Sequence, residues 1–109
     1  MARRTARDDI QIDAKRAGWT WERNDTPYPN GTVKKLYSRT LPCGHGELLE
    51  VHYGRTGVVL EAAVARYGGP KRYAPDRNKR NWVLGEVHED NSALHARCCQ
   101  RDRPDQPGA

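Results

Sequence analysis

Across TARDDIQIDAKRAGW, Ala6, Ile10, Ala14 and Ala17 recur at helical spacing, with acids near the start and Lys15 and Arg16 near the end. The pattern predicts a short amphipathic helix that Thr5 or Asp8 caps and Gly18 terminates. The period then changes to two. WTWERN sets Trp19 and Trp21 on one side of a predicted strand and Thr20 and Glu22 on the other, and the two indoles read as core or rim packing. Turn formers fill DTPYPNG, where Asn30-Gly31 suits a tight turn. TVKKLYSRTL follows as a second strand, with Val33, Lys35, Tyr37 and Arg39 opposing Thr32, Lys34, Leu36 and Ser38. Neither face is cleanly apolar, which places this strand at a sheet edge.

After the PCGHG turn, ELLEVHYG alternates Leu49, Val51 and Tyr53 against Leu48, Glu50 and His52. RTGVVLEAAVARYGG carries mixed signals: its Ala and Glu content and closing Gly-Gly-Pro suit a capped helix, whereas YGR and Gly57 suit a hairpin turn into a strand. A strand is the preferred reading, because it gives VVLEAAV a partner in ELLEVHY. A last helix is expected from about Asn81 through Cys98, with Asp76 or Asn78 as cap, Val83, Val87, Leu94 and Cys98 on one side, and a break at Asn91 and Ser92. The order α-β-β-β-β-α predicts a small α+β domain over residues 1–98. In it an antiparallel sheet of three to four strands is flanked by an N-terminal and a C-terminal helix, and residues 99–109 form a flexible tail.

Composition narrows this picture. A chain of 109 residues that is 36% hydrophobic supports one compact domain rather than two. Its core would be thin, because Phe is absent and the aromatic residues are three Trp and five Tyr, so a homodimer or a bound metal would supplement it. No stretch approaches the roughly 18 apolar residues that span a bilayer, and MARRTARDDIQI lacks the apolar centre of a secretory signal. Three cysteines, two of them adjacent, do not make a secreted disulfide framework. The chain therefore reads as cytoplasmic, with no membrane partner.

Charge is uneven. The formal net charge is +5, and residues 71–80, KRYAPDRNKR, hold five basic residues and one acid, the densest positive segment. Such a segment favours nucleic acid as a partner. Lys71, Arg72, Arg77, Lys79 and Arg80 are the candidate phosphate contacts, Tyr73 a base-stacking residue, and Trp82 lies at the helix start, whose amides offer a further anion site. The alternative is a non-enzymatic regulatory or protein-interaction domain that recognises an acidic protein surface with the same cations.

The cysteines pose a separate question. Cys43 and His45 stand two residues apart between Gly44 and Gly46, and HARCC places His95 three residues before Cys98 and four before Cys99. Any four of these five supply the thiolates and imidazoles that zinc prefers. A site of this kind would clip the middle of the chain to its last helix. The competing reading makes Cys43 and His45 ordinary turn residues and one of the later cysteines helix packing; His52 and His88 are alternates. No catalytic residues are assigned, since neither the thiols nor the dispersed acids form a nucleophile-base or paired-carboxylate pattern. CGHG, YGRTG and YGGP match no phosphate-binding or dinucleotide fingerprint and read as turns.

Overall fold

The computed structural model describes residues 4–22, 27–40, 44, 46–66 and 69–89. Its elements are α1 (Ala6–Arg16), β1 (Val33–Thr40), β2 (Gly46–Tyr53), β3 (Val59–Arg66), β4 (Arg72–Tyr73) and α2 (Lys79–Val87). The strands form an antiparallel sheet in the order β1-β2-β3-β4, the α+β arrangement that the hydrophobic pattern predicts.

Helix α1 follows local rules at both ends. Asp8 N–H donates to the Thr5 hydroxyl at 3.1 Å, Thr5 N–H donates back to the Asp8 carboxylate at 3.0 Å, and Asp8 and Asp9 occupy the positive first turn. One further first-turn amide, that of Arg7, donates to the Gly57 carbonyl at 2.9 Å. At the other end Gly18 has φ +89°, its N–H donates to Lys15 O and the Trp19 N–H to Ala14 O. This left-handed stop satisfies two terminal carbonyls.

Trp19 then turns into the core, where its indole N–H donates to Val87 O at 3.1 Å, and Trp21 packs edge-on against Tyr37 at 5.0 Å. Among the described residues, the strand expected at WTWERN is reduced to one bridge, Thr20 to Ser38. Its physical cause is that the Glu22 carbonyl accepts from the buried Lys35 ammonium at 2.6 Å, so a side chain takes the place of a strand partner. β1 accordingly lies at the sheet edge, as its mixed faces require. Lys34 points outward while Lys35 points into the core.

The β2–β3 hairpin confirms the strand reading of VVLEAAV, with Leu49 opposite Val64 and Val51 opposite Ala62. The sheet's fourth member comes from the basic segment: Arg72 pairs with Val64 and Tyr73 with Ala63. Helix α2 begins two residues before Asn81, with Asn78 as N-cap, and it stops at Val87 instead of continuing through Cys98. Side chains take the carbonyls that a longer helix would use. Arg66 donates to Glu86 O at 3.2 Å, and Trp19 donates to Val87 O. Leu94, Cys98 and the tail lie outside the described residues.

One face of the sheet carries Tyr37, Leu49, Val51, Tyr53 and Val64, which pack with Ile10 and Ala14 of α1 and Val83 and Val87 of α2. The Tyr37 and Tyr53 hydroxyls meet at 2.7 Å within this core. Burial, followed by the neighbouring Tyr37, pushes the Tyr53 hydroxyl far above its ordinary value of 10.0. Both helices pack on this face, whereas Leu36 and Leu48 on the opposite face are exposed. No described helix is long and apolar enough to cross a membrane.

Candidate functional site

The basic segment wraps from the sheet edge to the start of α2. Tyr73, 72% exposed, stands on the open face of the sheet. The cations around it fall into two groups. Lys71 holds the Glu50 carboxylate through two contacts of 3.1 Å, Arg80 reaches Asp9 at 2.6 Å, and Arg72 reaches Glu86 at 2.9 Å. Arg77 is exposed and Lys79 half-buried, and neither has an ion-pair partner among the described residues. Exposed pairs such as Lys71–Glu50 and Arg80–Asp9 are worth about 0–1 kcal/mol, so their cations can exchange onto a phosphate. Arg72 is held more firmly, because Glu86 is buried and shared with Arg66. Trp82 is half-buried and packs one side against the core.

Helix α2 opens against the rules that α1 obeys. Asn78, at φ 58°, makes no side-chain cap, the first turn contains no acid, and Lys79 and Arg80 add positive charge where the helix dipole is already positive. An anion there would satisfy amides that no side chain caps and offset that charge.

Behind the edge lies a charge network that no sequence motif announces. The Glu47 carboxylate, fully buried, accepts from Arg39 Nε at 2.5 Å and from Arg66 Nη1. Arg66 continues to Glu86 at 2.6 Å and Glu89 at 3.2 Å, while Arg39 donates to Ala17 O and Glu89 O and lies 4.4 Å over the Trp19 ring. Desolvation raises the Glu86 pKa, but Arg66 and then Arg72 outweigh it, leaving the carboxyl below its ordinary value. Burial opposes the charge on Arg66 as well, yet Glu86, Glu47 and Glu89 hold its pKa above the ordinary value. These groups tie the end of α2 to β1, β2 and β3. Glu47, Arg39, Arg66 and Glu86 are packed inside the fold, while Glu89 sits at its surface, so the buried groups serve the architecture.

On the opposite sheet face is a shallow cavity of about 180 Å³. Tyr28 and Tyr73 line it together with Lys34, Glu50, His52 and Glu61, and Ala62 and Ala63 border the same space. The alternation of ELLEVHY put Glu50 and His52 on one face. The strand order that adds Lys34, Glu61 and Tyr73 to them is not written in any one segment.

Cys43, His45, His95, Cys98 and Cys99 all lie outside the described residues. Among the described residues no group of three or more metal-ligating side chains comes together. His52 bonds Thr32 at 3.0 Å and His88 contacts Asp13 at 2.9 Å, so the two alternates stand apart on different elements. The described ends of the two cysteine-bearing segments are close, however. Thr40 pairs with Gly46 across the connection that contains Cys43 and His45, and the adjacent Arg39 donates to Glu89 O at 3.2 Å. Comparison with family models, curated proteins and solved structures found no match to the chain.

Proposed function

We propose that this domain binds nucleic acid through β4, the loop that follows it and the start of α2. The observation that carries this reading is the N-terminus of α2, which combines uncapped amides with Lys79 and Arg80 and contains no first-turn acid. Arg77 precedes it, and Lys71 and the exposed Tyr73 extend the surface to the sheet edge. Cations supply sequence-independent attraction to phosphates, and an interleaved aromatic offers a stacking surface. No catalytic constellation is part of this reading.

Binding should be tested by anisotropy with labelled mixed-sequence DNA and RNA. If Lys71, Arg77, Lys79 and Arg80 each meet one phosphate of a single strand, the affinity should fall about 50-fold between about 50 and about 200 mM salt. Replacing Arg77 and Lys79 by alanine should flatten the salt dependence by about half. Absence of binding at low salt would reject the proposal and leave an acidic protein surface as the partner for the same cations.

A second reading concerns zinc, and the proximity of Glu89 to the strand end before Cys43 favours it. Five residues lie between Glu89 and His95, enough chain to return to a neighbouring loop. Zinc held by four of Cys43, His45, His95, Cys98 and Cys99 would fasten the β1–β2 connection to the segment after α2. The native mass should then exceed the denatured mass by one zinc ion per chain. Equal masses after expression in zinc-supplemented medium would remove the reading.

A further inference from the structure

We propose that the cavity on the open sheet face seats one unpaired nucleobase, which makes single-stranded nucleic acid the substrate class; this inference rests on the nucleic-acid reading above. Tyr28 and Tyr73 both line the cavity, and they are 47% and 72% exposed. Tyr28 is steadied by an edge-on contact with His52 at 5.6 Å, while Tyr73 is anchored by the β3–β4 pairing. Exposed rings held in place by their surroundings offer stacking area at little entropic cost. Among the described residues, no element covers this face.

The polar groups between the rings are prearranged. Thr32 N–H and Thr32 hydroxyl both donate to Asn30 Oδ1, at 3.1 and 2.8 Å. The hydroxyl therefore accepts from His52 Nε2 at 3.0 Å, which makes Nε2 the protonated nitrogen and leaves Nδ1 of the neutral ring an acceptor. Glu50 is a second acceptor, held by Lys71 at 3.1 Å and Lys34 at 3.8 Å, and those ammonium groups are donors. Donors and acceptors together match the edge of a heterocyclic base.

Size and charge select among possible occupants. A volume of about 180 Å³ is below the roughly 300 Å³ at which clefts begin to enclose drug-sized ligands, so the site takes one ring system rather than a whole cofactor. The lining sets Lys34 against Glu50 and Glu61 and has no excess of positive charge, so the cavity suits a neutral ring better than a phosphate. The phosphates belong outside, along Arg77, Lys79 and Arg80. A base in a duplex has its faces stacked and its edge paired, and only a single strand presents both.

The test uses the full chain and four labelled oligonucleotides of equal length: single-stranded DNA, single-stranded RNA, duplex DNA, and an abasic strand with the same phosphates. The single strands should bind at least about 10-fold more tightly than the abasic strand. Tyr73→Ala and Tyr28→Ala should each weaken single-strand binding by about 5- to 150-fold, while Tyr→Phe retains it and the salt slope stays constant. Circular dichroism checks that these surface variants remain folded. Equal affinity for the single, abasic and duplex forms, unchanged by either alanine, would overturn the base site while leaving phosphate binding intact. No binding of any oligonucleotide at low salt would overturn both.

Discussion

Glu47→Ala is expected to lower the unfolding free energy by about 3–5 kcal/mol, a large part of the total stability of a small domain. The substitution removes the buried carboxylate that Arg39 and Arg66 share, leaving two guanidinium groups in the interior without that counter-charge. Remaining partners limit the damage. Arg39 keeps the carbonyls of Ala17 and Glu89, and Arg66 keeps Glu86 and Glu89, which place the loss toward the lower end of the range. Arg66 Nε is already buried without a hydrogen-bond partner among the described residues, so the network has little spare capacity. Urea unfolding followed by tryptophan fluorescence measures the change, because Trp19 lies under Arg39. A loss below about 1 kcal/mol would show that the network is hydrated and loosely held.

Acid should weaken the same network through Glu86. Its pKa is below the ordinary 4.5 in the folded state, so its contribution is fully present above about pH 4.5 and fades as the pH falls through the lower folded value. The urea midpoint of the wild-type protein should therefore decline in acid, and Glu86→Gln should flatten that part of the pH profile.

Gly57→Ala is the second large effect, expected at about 2–5 kcal/mol. Gly57 has φ +85°, and a Cβ placed there would stand 2.6 Å from Thr5 Cβ and 2.7 Å from Thr5 Oγ1. Two penalties therefore combine: the left-handed backbone costs an alanine about 1–2 kcal/mol, and the overlap drives the turn away from the cap of α1. Moving the turn also strains the bond from Arg7 N–H to Gly57 O. Gly18 separates the two penalties, since it has φ +89° and no atom within 4 Å of an added Cβ. Gly18→Ala should thus show the backbone cost alone. In a Thr5→Gly background, Gly57→Ala should lose its overlap penalty, and the non-additivity measured by denaturation in a double-mutant cycle reports the contact. Equal losses for Gly57→Ala in both backgrounds would refute the tight packing of turn against cap.

Local chemistry made much of this fold legible. Thr5 and Asp8 are three residues apart and interact within their own helix turn, Gly18 meets its requirement within its own stop signal, and the alternation of ELLEVHY records which side chains meet the core. Even the lysines of β1 carried a correct message, since a strand with two mixed faces belongs at an edge. WTWERN misled because strand alternation records which way side chains point, not whether the backbone finds a partner. Trp19 and Lys35 found theirs across the fold. The end of α2 was hidden for a similar reason: the donors that take its carbonyls come from Trp19 and Arg66, far away in sequence.

The candidate site divides along the same line. Sequence by itself determined the cationic segment and the alternation that puts Glu50 and His52 on one face, because each depends on neighbours along the chain. Only the tertiary structure decided that Lys71, Arg72 and Arg80 have acidic partners, that Trp82 is packed, and that Tyr28 and Tyr73 border one cavity. Those facts depend on strand order and register, which bring residues dozens of positions apart to within a few ångströms. Periodicity tells a side chain which way to face, and packing determines what it meets there.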